Sequence, residues 1–228
     1  MSRYRWLHAE WPISIRLLAK RIKAKTFAED STHGFVIDRI RDDFLEARYV
    51  ERLEYIDTVL DPFGHEISYN RVEFRQSYFR ASTDFPGLEL LDPSRSVQNL
   101  LNRLSEVADF EVAINPISLD VLVWAARFQS TASIDSEVYS MQIGSLEIET
   151  GILAKVIIKG NRDVRAACAA LTQERKFALE KVQLRLSGSH RGTIVLTNSG
   201  VAKIDVDDPT EKLVPALRFS LAQAVKLV

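Results

Sequence analysis

Glu147 and Glu149 stand two apart in Ser145-Leu-Glu-Ile-Glu149, a spacing that puts both carboxylates on one face of a strand. Side by side, two carboxylates raise each other's pKa or share a divalent cation, which is the raw material of a metal-dependent hydrolase or nuclease. Exposed strands carry acids routinely, however, and the pair Asp207-Asp208, just before Pro209, is better explained as a helix cap. His8, His33, His65 and His190 lie far apart, and none is four residues from another, so a zinc site would need four distant loops. The one cysteine, Cys168, sits in Ala166-Ala-Cys-Ala-Ala170 on the apolar side of a helical pattern, where a thiol packs and is a poor nucleophile. There is no Gly-x-Ser-x-Gly elbow and no Gly-x4-Gly-Lys-Ser/Thr phosphate loop. No catalytic residue, metal or cofactor is expected from these patterns, although a site assembled in space needs no local motif.

Cations offer a second kind of chemistry. The N-terminus reads Arg3-Tyr4-Arg5-Trp6, with Trp11 close behind, so basic and aromatic side chains interleave as they do in proteins that meet phosphates and stack on bases. The same residues would equally serve an edge strand anchored by tryptophan, its arginines paired with acids. Residues 155–185 hold eight Lys and Arg against three acids, a net of +5. Strand alternation sharpens this: Ile152, Ala154, Val156 and Ile158 face one way and Lys155 and Lys159 the other. Val182, Leu184 and Leu186 likewise leave Lys181 and Arg185 opposite them. If both apolar faces meet helices, Lys155, Lys159, Lys181 and Arg185 share a helix-free face, either solvated or presented to an anionic partner.

The elements that would position these groups are readable from period and punctuation. Asp61-Pro62-Phe63-Gly64 is a turn between Tyr49–Leu60 and Ile67–Phe79, both rich in β-branched and aromatic residues, which predicts a long hairpin around 46–80. Asp92-Pro93 is read as the start of a helix with Val97, Leu100, Leu101, Leu104 and Val107 as its buried stripe. A strand near 110–114 and an almost wholly apolar helix near 118–128 follow. The small polar run 129–136 is taken as the boundary between a domain at 1–130 and one at 131–228. Strands near 138–149 and 152–159, a helix near 162–175, and strands near 177–187, 192–197 and 201–206 come next. Asp208-Pro209 with Glu211 starts the last helix. The expected fold is α+β: a hairpin-rich N-terminal region with two helices, then a sandwich of order ββ-α-βββ-α with its helices on one sheet face.

Composition bounds the rest. The chain has 228 residues, 46% hydrophobic and 27% charged, with a net charge of −1, which excludes disordered, collagen-like and coiled-coil classes. One cysteine rules out an internal disulfide and suits a reducing compartment. The longest apolar runs, Val121–Ala126 and Ala166–Leu171, are far too short to span a bilayer, and no signal peptide is visible, so a cytoplasmic protein without membrane contact is expected. Charge is uneven: residues 1–25 carry a net +6 and residues 26–61 a net −6, so the two segments are expected to lie together. The functional expectation is a non-catalytic interaction or accessory protein within a larger assembly, with a protein partner or a homo-oligomer. The alternative is nucleic-acid binding through Lys155, Lys159, Lys181 and Arg185, joined by Arg3, Arg5 and Trp6; a metal-dependent hydrolase comes third.

Overall fold

Alternation and turn chemistry make this chain predominantly a strand former. The computed structural model describes residues 1–94, 96–188, 191–207 and 213–225. Along the chain come β1 (Ser2–Ala9), α1 (Ile15–Lys23), β2 (His33–Ile40), β3 (Phe44–Leu60), β4 (Glu66–Ser82), β5 (Gly87–Leu91) and α2 (Gln98–Val107). Next are β6 (Ile114–Pro116), α3 (Val121–Ala132), β7 (Ser136–Glu149), β8 (Ile152–Lys159) and α4 (Arg165–Thr172). The described residues end with β9 (Phe177–Leu186), β10 (Gly192–Thr197), β11 (Val201–Val206) and α5 (Leu213–Ala224). Two compact units result: residues 9–113, and residues 1–8 with 114–228. The boundary expected at 130/131 falls at the end of α3, inside the second of these units.

In the unit 9–113, β2, β3, β4 and β5 pair in that order, antiparallel throughout. Helix α1 forms because Ser14 caps it, its Oγ accepting from the Leu17 amide, and because Ile15, Leu18, Ala19 and Ile22 repeat at helical spacing and are buried. Lys20, Arg21 and Lys23 fill its last turn, where the helix dipole favours cations. Phe35, Tyr49 and Phe79 centre the core, with ring centroids 5.3 Å apart for Phe35–Tyr49 and 6.0 Å for Phe35–Phe79. Arg16 of the basic first segment pairs with Asp42 at 2.6 Å, as the charge asymmetry suggested, but Arg21 and Lys25 turn instead to Asp109 and Glu106.

In the other unit the strand order is β1-β11-β10-β9-β7-β8, with β6 also beside β1. Every second residue of the central strands is buried: Val182, Leu184 and Leu186, then Ile194 and Leu196, then Ala202 and Ile204. Helix α3 packs on β9 and β10 and against α5. Trp124 of α3 locks that layer: its indole N–H donates to the Leu217 carbonyl at 3.1 Å, and its ring meets Trp6 edge-on at 5.7 Å.

The expected fold class is therefore corrected. The chain is 48% strand and 24% helix, with eleven strands and five helices among the described residues, and is not a hairpin region followed by a small sandwich. Two things overturned the expectation. The N-terminal strand pairs with β11, a partner at the far end of the chain that no local pattern reveals. The amphipathic stretch after Ser14 forms a helix that the sequence reading passed over. Two boundaries also move. Asp92 takes a left-handed φ of 45°, and α2 begins only at Gln98, after a Val97 cap residue without a side-chain bond. Phe110, also left-handed and largely exposed, breaks the strand expected at 110–114, leaving Ile114–Pro116. The Asp208-Pro209 and Glu211 cap and the His190 turn lie outside the described residues.

Buried area ranks the α2 stripe. Leu104 is 0% exposed and Leu101 only half-buried. Leu104→Ala should therefore lower the unfolding free energy by about 2–5 kcal/mol in urea denaturation, and Leu101→Ala by clearly less.

Candidate functional site

Cross-strand register builds one basic surface from both ends of the chain. Arg3 pairs with Lys203, Lys203 with Val195, and Val195 with Gln183. Two pairs along, Arg5 stands opposite Val201, Val201 opposite Thr197, and Thr197 opposite Lys181. Residues directly opposite in antiparallel strands share a face, so these residues point away from the buried row Tyr4, Ala202, Leu196 and Val182 between them. Together they line a shallow groove of about 560 Å³ whose walls include Arg3, Lys181, Lys203, Gln183, Thr197 and Ser199. No carboxylate among the described residues lines it. Lys181 and Lys203 have no ion-pair partner among the described residues.

The residues singled out in the sequence divide into three groups. Arg3 and Lys181 come together in the groove, and Arg5 lies on the same face two pairs beyond Arg3. Lys155, Lys159 and Arg185 share that side of the sheet but have other surroundings. Lys155 is 3.6 Å from Glu180 Oε2, which also accepts from the Gln142 amide at 2.8 Å. Glu180 can fold over β7 only because residue 144 is glycine; a Cβ there would overlap its carboxylate. Arg185 stacks on the Tyr139 ring at 4.6 Å, and the Tyr139 hydroxyl donates to Gln183 Oε1 at 2.8 Å. Lys159 stays exposed on the outermost strand, opposite Ser140. Trp6 is different: it is 0% exposed, turned into the core against Trp124, and no base could stack on it. Sequence reading missed Lys203. The alternation of Val201-Ala-Lys-Ile-Asp205 does place it outward, but only the β1–β11 pairing brings it beside Arg3.

The paired carboxylates do not survive as a pair. A register shift in β7 sets Glu147 against Leu153 and Glu149 against Ile152, consecutive residues that leave opposite faces of β8. No group of three or more His, Cys, Asp or Glu able to hold a metal occurs among the described residues. Cys168 is 3% exposed, and burial pushes its thiol up from the usual range.

A polar cleft of about 250 Å³ in the unit 9–113 concentrates titratable groups, among them His33, Tyr49, Glu51, Arg103 and Glu106. They satisfy one another. Arg103 Nη1 donates to both Glu106 oxygens at 2.8 and 2.9 Å, and its bonds hold the Glu106 carboxyl below its usual range. Burial, offset in part by Arg103, raises the Tyr49 phenol. Asn99 donates to Glu51 at 2.6 Å. A network closed in this way positions α2 against β3 and holds no activated nucleophile.

The buried thiol gives a direct check. Cys168 in the folded protein should react with an aromatic disulfide reagent many times more slowly than in urea, where the absorbance change should be complete within the mixing time. The chain matches no protein-family model, and it matches no curated protein at a significant level.

Proposed function

We propose that this chain is a non-catalytic interaction protein whose β3–β4 arm is gripped by another protein chain through strand addition. The supporting observation is the arm itself. Strand β2 stops pairing with β3 at Glu51, and β5 pairs with β4 only over Tyr78–Ala81. Residues 52–60 and 66–74 therefore continue as a ribbon with no third strand among the described residues. Nine cross-strand pairs from Arg52–Phe74 to Leu60–Glu66 make it about 30 Å long. A two-stranded ribbon is marginal by itself in water. This one is nevertheless apolar on both faces: Tyr55, Val59, Ile67 and Tyr69 are exposed on one, Ile56, Leu60, Val72 and Phe74 on the other.

The charges of the arm are used locally, so they do not explain that apolar surface. Arg71 pairs with Asp57 at 2.8 Å and lies over the Tyr55 ring at 4.8 Å, and Arg52 pairs with Glu54 at 3.0 Å. At the tip, Asp61 Oδ1 accepts the amides of Phe63 and His65, each at 2.8 Å, and the His65 amide foremost draws the Asp61 carboxyl below its usual range. Phe63 is left 85% exposed at the end of this ordered turn. Beyond Arg52, whose amide donates to the Thr32 carbonyl at 2.8 Å, the outward N–H and C=O groups of the arm edges supply the hydrogen bonds for an added strand, and the alternate apolar side chains supply its specificity.

The test combines light scattering with co-purification from the native host, using Ile56→Ser, Leu60→Ser, Ile67→Ser and Tyr69→Ser together. All four side chains are at least half exposed, so the fold should lose little, within about 0.5 kcal/mol per site. The intact chain should run as a complex of defined stoichiometry, and the variant should lose its partner and run as a monomer. An intact chain that is strictly monomeric with no co-purifying protein overturns the proposal.

A further inference from the structure

We infer that the open sheet face carrying Arg3, Lys181 and Lys203 is a binding site for the phosphodiester backbone of nucleic acid. This inference is independent of the arm. It rests on the convergence of cations from β1, β9 and β11 on one groove with no carboxylate among the described residues of its walls. The fate of the neighbouring cations sets the groove apart. Lys155 is neutralised by Glu180 and Arg185 is held on Tyr139, whereas Lys181 and Lys203 have no ion-pair partner among the described residues. Two lysines left unpaired in a groove of one sign raise the local concentration of anions.

The other lining groups favour a phosphate backbone over an acidic protein. Ser199 is exposed with its hydroxyl 3.0 Å from Thr197 Oγ1, and Gln183, whose Oε1 is already taken by the Tyr139 hydroxyl, has its amide N–H groups to give. Hydroxyl and amide donors beside Lys and Arg are the usual partners of phosphate oxygens. A protein interface of any strength would need a buried aromatic or aliphatic anchor, and the groove walls hold only Val195 and Val201 beside Met1. Lys203 and Lys181 lie two strands and two register positions apart, about 12 Å between Cα positions at normal strand spacing and rise. With one phosphate every ~3.4 Å along each strand of a duplex, that separation spans several charges. The face offers no stacking platform: Trp6 is in the core and Tyr139 is covered by Arg185. Contact is therefore with the backbone, without base preference, and a duplex is bound at least as well as a single strand.

Fluorescence polarisation on the full chain tests this with a labelled 20-base-pair DNA duplex, the matching single strand, and labelled polyglutamate, at 50 and 200 mM salt. The duplex should bind at 50 mM salt and weaken at least tenfold at 200 mM, independently of its sequence. Lys181→Gln with Lys203→Gln should lower duplex affinity at least tenfold and flatten the logarithmic salt slope by about 1.8, at roughly 0.9 per lost phosphate contact. Lys155→Gln, which removes a cation already paired with Glu180, should change affinity less than twofold. Both lysines are surface groups and neutralisation preserves their stems, so an unchanged thermal midpoint will confirm folded variants. No binding at 50 mM salt, binding indifferent to salt, or a double variant equal to the parent overturns the inference. Polyglutamate bound more tightly than the duplex overturns it in favour of an acidic protein partner.

Discussion

The pairing of Ser2–Arg5 with Val201–Ile204 is the constraint on which the C-terminal unit depends. It places Trp6 beneath α3, where its ring meets Trp124 while its amide donates to the Gly200 carbonyl at 2.9 Å. Gly200 is part of the same device. Its φ of 68° turns the chain tightly between β10 and β11, and a Cβ would come within 3.2 Å of the Trp6 carbonyl oxygen. Trp124 in turn fixes α5 through the Leu217 carbonyl. One strand pairing thus couples burial of the largest side chains to the position of two helices.

The same pairing determines what the opposite face displays. Side chains alternate over Ser2–Trp6 of β1, Lys181–Leu186 of β9, all of β10 and Ala202–Asp205 of β11, so each apolar residue committed there to the helix side sends its neighbours outward. Burial of Tyr4 and Trp6 puts Arg3 and Arg5 outside, and burial of Val182 and Leu184 does so for Lys181 and Gln183. The basic groove and the hydrophobic layer are two faces of one register. A slip by one residue would exchange them, which the buried tryptophan forbids.

The arm of the unit 9–113 follows a different logic. Its root is packed, with Ala47, Tyr49 and Phe79 almost fully buried, while its outer half has cross-strand pairs and a tight turn but no layer behind it. Local terms, such as Arg71 on Tyr55 and the Thr58–Ser68 contact at 3.0 Å, hold the two strands together without burying their apolar faces. Such a ribbon has surface to spare for another chain, unlike the polar network around Arg103, where Glu106 already accepts from Arg103 and Glu51 from Asn99.

Short-range order was legible wherever a period and a punctuation mark agreed. The Asp61-Pro62-Phe63-Gly64 turn, the outward parity of Lys155, Lys159, Lys181 and Arg185, and the burial of Cys168 all follow from residues within a few positions of one another. Expectations failed where neighbours in space decided. Asp92-Pro93 has the chemistry of a helix start, yet its backbone serves a left-handed bend instead. Glu147 and Glu149 have the spacing of a shared face, yet a bulge in β7 separates them. Trp6 sits in a basic, aromatic string that suits base stacking, yet its 0% exposure assigns it to the core. Sequence by itself determined which residues alternate, where the chain turns and how many charges it carries. Only tertiary structure decided that Arg3 lies beside Lys203 and that Lys155 is neutralised while Lys181 is not. The physical reason is that side-chain period is a local property, whereas strand partners, bulges and ion pairs are settled by which distant surfaces bury the most apolar area together.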